Sequence, residues 1–337
     1  MLMRRLVAGC IAFLLVGAAA LSVSRTAGSI LAAPNQMTAE ELEKALGPVP
    51  KPSKHYKIGA IEKTLINEHW QEMKKGYEDA AKKYGITVEV GAVDTEQDLM
   101  KQLNLAETFI AKGYDALAVS PLTASNLVPA LEKATKKGIP ILNVDDSRIT
   151  EVPITAFVGA DHRLMGVYAA DYFGKHVKSG KVALIEGMAG SPASQQRVAG
   201  FTETIKNYPG LKLVASQPGN WDRVQAMNAA ANIIRVHPDL KAIYACNDTM
   251  ALGIVEAVVN AGKAGKIMVI GTDGVPDAIK SIREGRMTGT IAAFPYEMGR
   301  IATEVAIRVL EGQKVPPVIV SPMVLVTRDN LDKYFKK

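Results

Sequence analysis

The two tryptophans of this 337-residue chain are its first candidates for chemistry, because the chain contains only two. Trp70 ends the segment Asn-Glu-His-Trp and Trp221 lies in Asn-Trp-Asp-Arg, and in both a loop enters a predicted helix. An aromatic ring at such a position covers the apolar C–H face of a sugar and excludes water from it. Two of two tryptophans at loop-to-helix entries favour a binding role over core packing.

Arg197 is a further candidate, because its position is electrostatically unfavourable. It lies in the first turn of a helix predicted over residues 193–207, where the helix dipole disfavours a cation. A solvated surface arginine is the alternative interpretation. An arginine at this position suggests a function, which we expect to be pairing with an anion or with two adjacent hydroxyls.

Polar side chains also gather at the ends of predicted strands. Asp145 and Asp146 follow one strand, Asn247 follows another, and Lys63 and Asp273 lie at the ends of two more. A doubly wound sheet binds its ligand at the carboxyl ends of its strands. Carboxylate and amide groups can each satisfy two adjacent hydroxyls, so these strand ends favour a carbohydrate site.

Three further aspartates have a simpler interpretation. Asp161, Asp222 and Asp248 each precede a predicted helix, where a carboxylate accepts hydrogen bonds from unpaired backbone N–H groups. We therefore predict that these three side chains cap helices and do not contact a ligand.

Motifs of the common enzyme classes are absent from the sequence. It contains neither Gly-x-Gly-x-x-Gly nor a Walker lysine loop, which argues against dinucleotide and nucleotide binding. The five histidines lack His-x-His and His-x-x-x-His spacing, and Gly-x-Ser-x-Gly does not occur. We therefore expect a binding protein without metal or cofactor, with an enzyme acting on a small carbohydrate as the weaker alternative.

Composition and charge narrow the class of protein further. The chain is 48% hydrophobic and 22% charged, which is typical of a globular protein, and its length suggests about two domains. Three of its six excess positive charges lie in residues 1–33, and the remainder contains no basic run. Nucleic acid is therefore not an expected partner.

The N-terminal region is predicted to direct export. Residues 1–5 are basic, residues 6–23 are almost continuously apolar, and small residues continue to Ala33. This pattern is typical of a signal peptide, with an uncleaved membrane anchor as the alternative, and it predicts a periplasmic or extracytoplasmic protein. Residues 34–55 contain several prolines and are interpreted as an extended linker with a short helix over 38–46.

The rest of the chain alternates short apolar runs with amphipathic segments. This alternation is typical of parallel strands joined by crossover helices. Two sets of about five strands fit two doubly wound lobes better than one sheet, so we predict an α/β fold with two such lobes. The predicted strands are residues 56–61, 87–90, 116–120, 139–144, 155–159, 181–186, 211–216, 241–246, 266–271, 289–293 and 323–327.

Four segments stand out as a set, namely residues 63–70, 215–223, 242–253 and 269–276. In unbroken order they resemble the bacterial periplasmic sugar-binding proteins of the ribose/allose type. The similarity extends over about residues 56–327, and the allose-binding type looks closer because both tryptophans match it.

The resemblance implies a type I periplasmic binding fold, in which two Rossmann-like lobes are joined by a three-strand hinge. The first lobe is expected at 56–160 plus 294–322, and the second at 161–293 plus 323–337. Such a monomer is expected to enclose a monosaccharide or polyol and to dock on the membrane permease of an ABC importer. A sugar sensor coupled to a chemoreceptor or kinase is the alternative function.

The ligand-binding positions of the family fall on residues at these strand ends and loop-to-helix entries. The resemblance implies that aspartates, asparagines and an arginine contact hydroxyls while the two tryptophans cover the faces of the sugar. The implied set is Lys63, Asn67, Trp70, Asp145, Asp146, Arg197, Trp221, Asn247 and Asp273.

Four positions depart from the family pattern. Ala293 stands where Gln is common, Ser120 where the ribose type has Asn, Ala160 where it has a hydroxyl residue, and His69 where an aromatic residue is common. The loss of an amide partner changes which hydroxyls a site accepts. Another aldose or ketose, a deoxysugar and a linear polyol therefore all remain open as ligands.

Overall fold

The computed structural model describes residues 36–145 and 148–335. The predicted export segment and the candidate Asp146 lie outside the described residues. The first elements in chain order are β1 (Gln36–Thr38), α1 (Ala39–Leu46), β2 (Lys57–Thr64), α2 (Glu68–Tyr84), β3 (Thr87–Val93), α3 (Leu99–Lys112), β4 (Ala116–Val119), α4 (Val128–Lys136), β5 (Ile141–Val144) and β6 (Ala156–Gly159). They are followed by α5 (His162–His176), β7 (Gly180–Glu186), α6 (Pro192–Thr204), β8 (Leu211–Pro218), α7 (Arg223–Val236), β9 (Leu240–Ala245), α8 (Asp248–Asn260), β10 (Met268–Asp273), α9 (Pro276–Arg283), β11 (Gly289–Ala292), α10 (Pro295–Leu310), β12 (Val318–Val320), β13 (Val324–Thr327) and α11 (Leu331–Tyr334).

Two separate sheets organise these elements. The first has the order β1-β12-β6-β5-β4-β2-β3 with parallel pairing throughout. The second has the order β13-β11-β10-β9-β7-β8 and is parallel except for the antiparallel β11–β13 pair. We call the first sheet with α1–α4 and α10 the first lobe, and the second sheet with α5–α9 and α11 the second lobe. The predicted α/β fold with two doubly wound lobes is confirmed.

The chain passes between the two sheets three times, after β6, after β11 and after β12. At the second crossing, the backbone N–H of Ala293 donates to the carbonyl oxygen of Asp273 at 2.9 Å. At the third, Oγ of Ser321 donates to the carbonyl oxygen of Ala293 at 3.3 Å. These hydrogen bonds hold two crossings against each other beside the carboxyl end of β10.

Close helix packing positions the start of α6. A Cβ atom on Gly166 of α5 would lie 2.0 Å from the carbonyl oxygen of Arg197 in α6. A Cβ atom on Gly200 of α6 would lie 2.0 Å from the carbonyl oxygen of Arg163 in α5. Only glycine allows this approach, so the α5–α6 pair fixes the backbone that carries the predicted site arginine.

The segment predicted as an extended linker instead packs against the first lobe. Its first described residues form β1, which pairs with β12 in parallel register. Further along, the carbonyl oxygen of Gly47 accepts a hydrogen bond from Nη2 of Arg308 at 2.8 Å. The prediction of an extended linker is therefore wrong at residues 36–38, because they complete the edge of the first sheet. The short helix predicted over 38–46 is confirmed as α1.

Among the helices of the described ranges, none is both long enough and apolar enough to cross a membrane.

Candidate ligand-binding site

The predicted site residues surround one cavity between the carboxyl ends of the two sheets. All of those that the structure describes line it, and the cavity volume is about 30 Å³. His69, Glu96 and Ala193 also line the cavity. The predicted residues brought together here are Lys63, Asn67, Trp70, Asp145, Arg197, Trp221, Asn247 and Asp273.

The first lobe contributes a cation, an indole and a helix cap. Lys63 lies at the end of β2, is 2% exposed, and places Nζ 5.6 Å from the centre of the Trp70 ring. Its Nζ also lies 4.0 Å from Oε2 of Glu96, and burial lowers the pKa of Lys63. Asn67 caps α2, since its Oδ1 accepts from the N–H of His69 at 3.1 Å. This half of the site is thus built on a strand end and the helix that follows.

The second lobe repeats this combination around Arg197. Its guanidinium carbon lies 5.8 Å from the centre of the Trp221 ring. Nη1 donates to the carbonyl oxygen of Cys246, and Nη2 donates to Nδ1 of His162 at 3.2 Å. Nη1 also lies 3.5 Å from Oδ1 of Asp273. The expected anionic partner is therefore present, although Arg197 is the sixth residue of α6 and lies beyond the first turn in which it was predicted.

The capping residue of α8 differs from the prediction. Asn247 is the cap, because its Oδ1 accepts from the N–H of Met250 at 2.9 Å. The predicted cap, Asp248, instead accepts from the N–H of Gly274 at 2.7 Å and from Oγ1 of Thr290 at 2.8 Å. The prediction for Asp248 was wrong because the carboxylate reaches the adjacent strand ends. Burial raises the pKa of Asp248 to about 7.

The other two predicted caps are confirmed. Asp161 accepts from the N–H of Leu164 at 3.0 Å, and Asp222 accepts from the N–H of Gln225 at 2.7 Å. These carboxylates are occupied by helix ends and do not line the cavity.

Three cavity residues have a left-handed backbone. The φ angles of Asp145, Trp221 and Asp273 are 67°, 61° and 129°, a range that residues other than glycine rarely adopt. Such conformations cost on the order of 1–3 kcal/mol each and persist where the surroundings impose them, often at functional sites. The backbone is therefore shaped here to turn these three side chains into the cavity.

Comparison with known proteins fits this architecture. Residues 58–314 match the model of the periplasmic binding protein domain. The chain belongs to the periplasmic binding protein family. The resemblance drawn from the sequence is thereby confirmed, and membership in this family places the protein outside the cytoplasm.

This periplasmic binding protein has relatives that are named for the sugars they bind or import. It is 40% identical over 268 residues to the D-allose-binding periplasmic protein of Escherichia coli, covering 77% of this chain and 86% of the relative. It is 36% identical over 276 residues to the ribose import binding protein of Bacillus subtilis, covering 82% and 88%. A solute-binding protein of Actinobacillus succinogenes, solved with bound D-allose, superposes with a TM-score of 0.79 at 35% identity, covering 83% of this chain and all of the other. These relatives are binding proteins, as expected for this chain, and not enzymes.

Several polar atoms of the periplasmic binding protein remain unpaired at its cavity. Oδ1 of Asp145, Nε of Arg197 and Nε1 of Trp221 are buried and have no hydrogen-bond partner among the described residues. A buried polar atom without a partner costs about 1–3 kcal/mol. One acceptor from the first lobe and two donors from the second are therefore available to a ligand with hydroxyl groups, and the buried Nδ1 of His69 in the first lobe also lacks a hydrogen-bond partner among the described residues.

His69 is the main site residue that the sequence did not assign to the site. Its Nε2 donates to Oδ2 of Asp145 at 3.1 Å, and its Nδ1 lies 3.4 Å from Oδ1 of Asp273 without hydrogen-bond geometry. Burial alone would lower the pKa of His69, but the two carboxylates outweigh it and raise that pKa to about 10. The imidazole is therefore positively charged at neutral pH.

Glu96 was also not predicted as a site residue, although its position in the sequence could have indicated it. It follows the end of β3, and the rule that doubly wound sheets bind ligands beyond their carboxyl strand ends applies to it as to the other strands. By contrast, the departures Ser120, Ala160 and Ala293 do not line the cavity. Oγ of Ser120 donates to the carbonyl oxygen of Val144 at 3.0 Å, which explains why it is turned away.

No metal centre is evident in the part of the chain that the structure describes. There, no three His, Cys, Asp or Glu side chains group in a way that could hold a metal ion. Apart from Ala193, the side chains that line the cavity are carboxylates, cations, amides and indoles.

Proposed function

We propose that the chain binds a monosaccharide or related polyol between its two lobes by hinge closure. The observation that carries this proposal is the set of unpaired buried atoms at the cavity, on Asp145 of the first lobe and on Arg197 and Trp221 of the second. A sugar hydroxyl can both donate and accept, so one ligand satisfies acceptor and donors together. Because these atoms belong to different lobes, the ligand gains its full set of contacts only in the closed state.

The proposed roles follow from the chemistry of each side chain. Asp145 and Asp273 accept hydrogen bonds from hydroxyls, Arg197 donates, and the two tryptophans cover the C–H faces of the ring. The side-chain oxygens of Asn67 and Asn247 are occupied as helix caps, so only their amide N–H groups remain for a ligand. Asp146 is assigned to the site by resemblance alone.

The lobe boundaries that we propose differ from those expected from the sequence at one place. Sheet membership supports a first lobe of residues 56–160 plus 294–322 and a second of 161–293 plus 323–337. Residues 36–55 are added to the first lobe, because β1 pairs with β12. The three crossings between the sheets are the proposed hinge.

Transport is part of the same proposal. The relatives include an import binding protein and an ABC transporter component, which supports delivery of the bound sugar to the membrane permease of an ABC importer. We also propose a monomer, because two lobes that open and close need their faces unobstructed. Light scattering of the purified chain with and without ligand should give the mass of one chain, and a stable dimer would contradict this.

Intrinsic fluorescence tests sugar binding directly, because both tryptophans line the cavity. We expect at least one member of a panel of pentoses, hexoses, deoxysugars and polyols to change the emission saturably. Trp70→Phe and Trp221→Phe variants each leave one reporter, and both should respond to the same compound because it contacts both lobes. If no compound alters emission or raises the melting temperature of the wild-type chain, the proposed function is wrong.

A further inference from the structure

His162 is a buried residue that contacts the site from outside the cavity. It is the first residue of α5, directly after the first crossing between the sheets, and is 2% exposed. Nε2 of its ring lies 3.1 Å from the carbonyl oxygen of Asp145, which follows β5 of the first sheet. Nδ1 lies 3.2 Å from Nη2 of Arg197 in α6 of the second lobe. One side chain that does not line the cavity therefore joins a site residue of each lobe.

The two partners determine where the proton of this imidazole lies. A carbonyl oxygen only accepts, so Nε2 donates to Asp145, and a guanidinium only donates, so Nδ1 accepts from Arg197. The neutral ring with its proton on Nε2 is the form that makes both bonds. Burial and the charge of Arg197 lower the pKa of His162 to about 4, so the ring is neutral at neutral pH.

The bond to Asp145 supports a strained backbone. The φ angle of Asp145 is 67°, and its N–H donates to the carbonyl oxygen of Val158 at 2.8 Å. A Cβ atom on Gly159 would lie 2.8 Å from the carbonyl oxygen of Asp145, so β6 crowds this carbonyl on one side. A left-handed backbone persists where its surroundings impose it. His162 is part of those surroundings, because it satisfies the carbonyl oxygen of the strained residue.

The bond from Arg197 orients the guanidinium. Nη2 donates to His162 and Nη1 donates to the carbonyl oxygen of Cys246, so both ends of the fork are held within the protein. Nε is buried and has no partner among the described residues. The close packing of α5 and α6 at Gly166 and Gly200 fixes the two helices that carry the histidine and the arginine. The second lobe therefore presents His162 and Arg197 to Asp145 as one rigid pair.

We propose that His162 is a positioning residue of the binding site, whose imidazole holds Asp145 of the first lobe and Arg197 of the second at the separation at which one ligand contacts both. These two residues carry an unpaired buried acceptor and an unpaired buried donor, Oδ1 and Nε. The inference rests on the proposed function of sugar binding. It adds a role for a residue that does not line the cavity.

Three substitutions of His162 separate its two hydrogen bonds. Asparagine places an oxygen near the position of Nδ1 and can keep the bond from Arg197, whereas glutamine places a nitrogen near the position of Nε2 and can keep the bond to Asp145. Alanine keeps neither bond. In titration calorimetry with the tightest sugar of the panel, we expect about tenfold weaker binding for His162→Ala and about threefold for His162→Asn and His162→Gln.

His176→Ala is the matched control for this series. It removes a histidine from the other end of the same helix, where the ring stacks on Tyr172 away from the cavity. It should bind sugar as the wild-type chain does. Wild-type affinity in all three His162 variants would overturn the inference while leaving sugar binding intact. Absence of binding by the wild-type chain, in contrast, refutes the proposed function itself.

A double-mutant cycle distinguishes positioning from a general structural role. Residues that share a hydrogen bond have non-additive effects, whereas independent residues have additive ones. In an Arg197→Ala background, the further loss of His162 should therefore cost only about threefold in affinity, against about tenfold in the wild-type chain, since only the bond to Asp145 remains to be lost. A tenfold cost in both backgrounds would contradict the assignment.

Nitrogen NMR of the wild-type chain keeps the inference testable if His162→Ala does not fold. The ring resonances of His162 are assigned by their absence from the His162→Gln spectrum. They should show a proton on Nε2 and none on Nδ1 between about pH 5.5 and 7.5, whereas His69 should carry protons on both nitrogens. A proton on Nδ1 of His162 would prevent that atom from accepting from Arg197 and would overturn the inference.

Discussion

Both halves of the site place a cation beside an indole, but one indole lies on a helix and the other on a loop. In the first lobe, Nζ of Lys63 lies 5.6 Å from the centre of the Trp70 ring. In the second, the guanidinium carbon of Arg197 lies 5.8 Å from the centre of the Trp221 ring. A cation over an indole stabilises the ring in a fixed orientation, by about 2 kcal/mol when both groups are desolvated. Each lobe therefore orients its own ring.

An asparagine and an aspartate complete each half. Asn67 caps α2 and Asn247 caps α8, so both amides are fixed by the helices that they begin. Asp145 and Asp273 each follow or end a strand with a left-handed backbone. The resemblance between the halves is thus one of roles and positions, reached without a repeat in the sequence.

The two indoles are held by different structural elements, a helix and a loop. Trp70 belongs to α2 and is 4% exposed, within the hydrophobic core of its lobe. Trp221 lies on a loop, is partly buried, and follows Asn220, so that two successive residues have φ angles of 54° and 61°. Helix hydrogen bonds hold the first ring, whereas the second depends on its neighbours. Changes beside Trp221 should therefore alter binding more than they alter stability.

Removal of the two cations should have unequal effects and gives the largest expected change. Arg197 bonds to Cys246 and His162, faces Asp273 and has a buried Nε without a partner among the described residues, whereas Lys63 presents a single ammonium group. Loss of one partner from a buried, hydrogen-bonded charge pair costs about 2–5 kcal/mol in binding. We expect Arg197→Ala to weaken sugar binding about 100-fold or more, and Lys63→Ala about tenfold.

Calorimetry with the tightest sugar of the panel measures both losses. Arg163→Ala is the matched control, because Arg163 is on the adjacent helix and pairs with Glu203 at the surface. It should bind as the wild-type chain does. Equal losses for the arginine and the lysine would show that the two halves contribute alike.

Gly187→Ala should disturb the second indole alone. A Cβ atom at this position would lie 2.1 Å from Cζ2 of Trp221, so the ring must move. We expect about tenfold weaker binding, which corresponds to about 1.4 kcal/mol, with little change in melting temperature. In a Trp70→Phe background the emission of Trp221 reports the displacement. An unchanged spectrum and affinity would mean that the loop is as rigid as α2.

Much of this architecture was predictable from local sequence pattern. Residues 68–84 form α2, and the amphipathic period and the Asn and Gly ends of this segment are local signals that predict a helix of about these bounds. The strands β1 and β12 were not predicted. Each has three residues, and β1 exists only through its pairing with a segment about 280 residues away. Strand pairing at that distance leaves no periodic signal.

The residues of the site likewise include some that the sequence predicted and one whose role it did not predict. Strand-end position and resemblance identified Asp145, Arg197 and Asp273, since the edge of a parallel sheet follows from its topology. The contacts of His69 did not follow, because they depend on how closely the two lobes approach each other. The sequence pattern places His69 on α2, but it carries no information on a carboxylate of the other sheet.

The glutamates near the ends of β2 and β7 offer the smallest and most local comparison. Glu62 in β2 is 1% exposed, and neither carboxylate oxygen has a hydrogen-bond partner in the described part of the chain. Glu186 at the end of β7 is partly buried and accepts a hydrogen bond from Oγ of Ser216. Burial raises the pKa of Glu62 well above its ordinary 4.5. Glu62 should therefore be a pH-dependent cost to stability.

Glu62→Gln tests this by urea unfolding at pH 5, 7 and 8.5. A carboxyl group whose folded pKa is raised keeps its proton in the folded chain and loses it in the unfolded one, so it destabilises the fold progressively as the pH rises above 4.5. Glutamine does not ionise. Its advantage over glutamate should therefore grow with pH, reaching about 1–3 kcal/mol in the free energy of unfolding. A Glu62→Gln difference that is flat in pH would mean that the wild-type carboxyl ionises in the folded chain as readily as in the unfolded one.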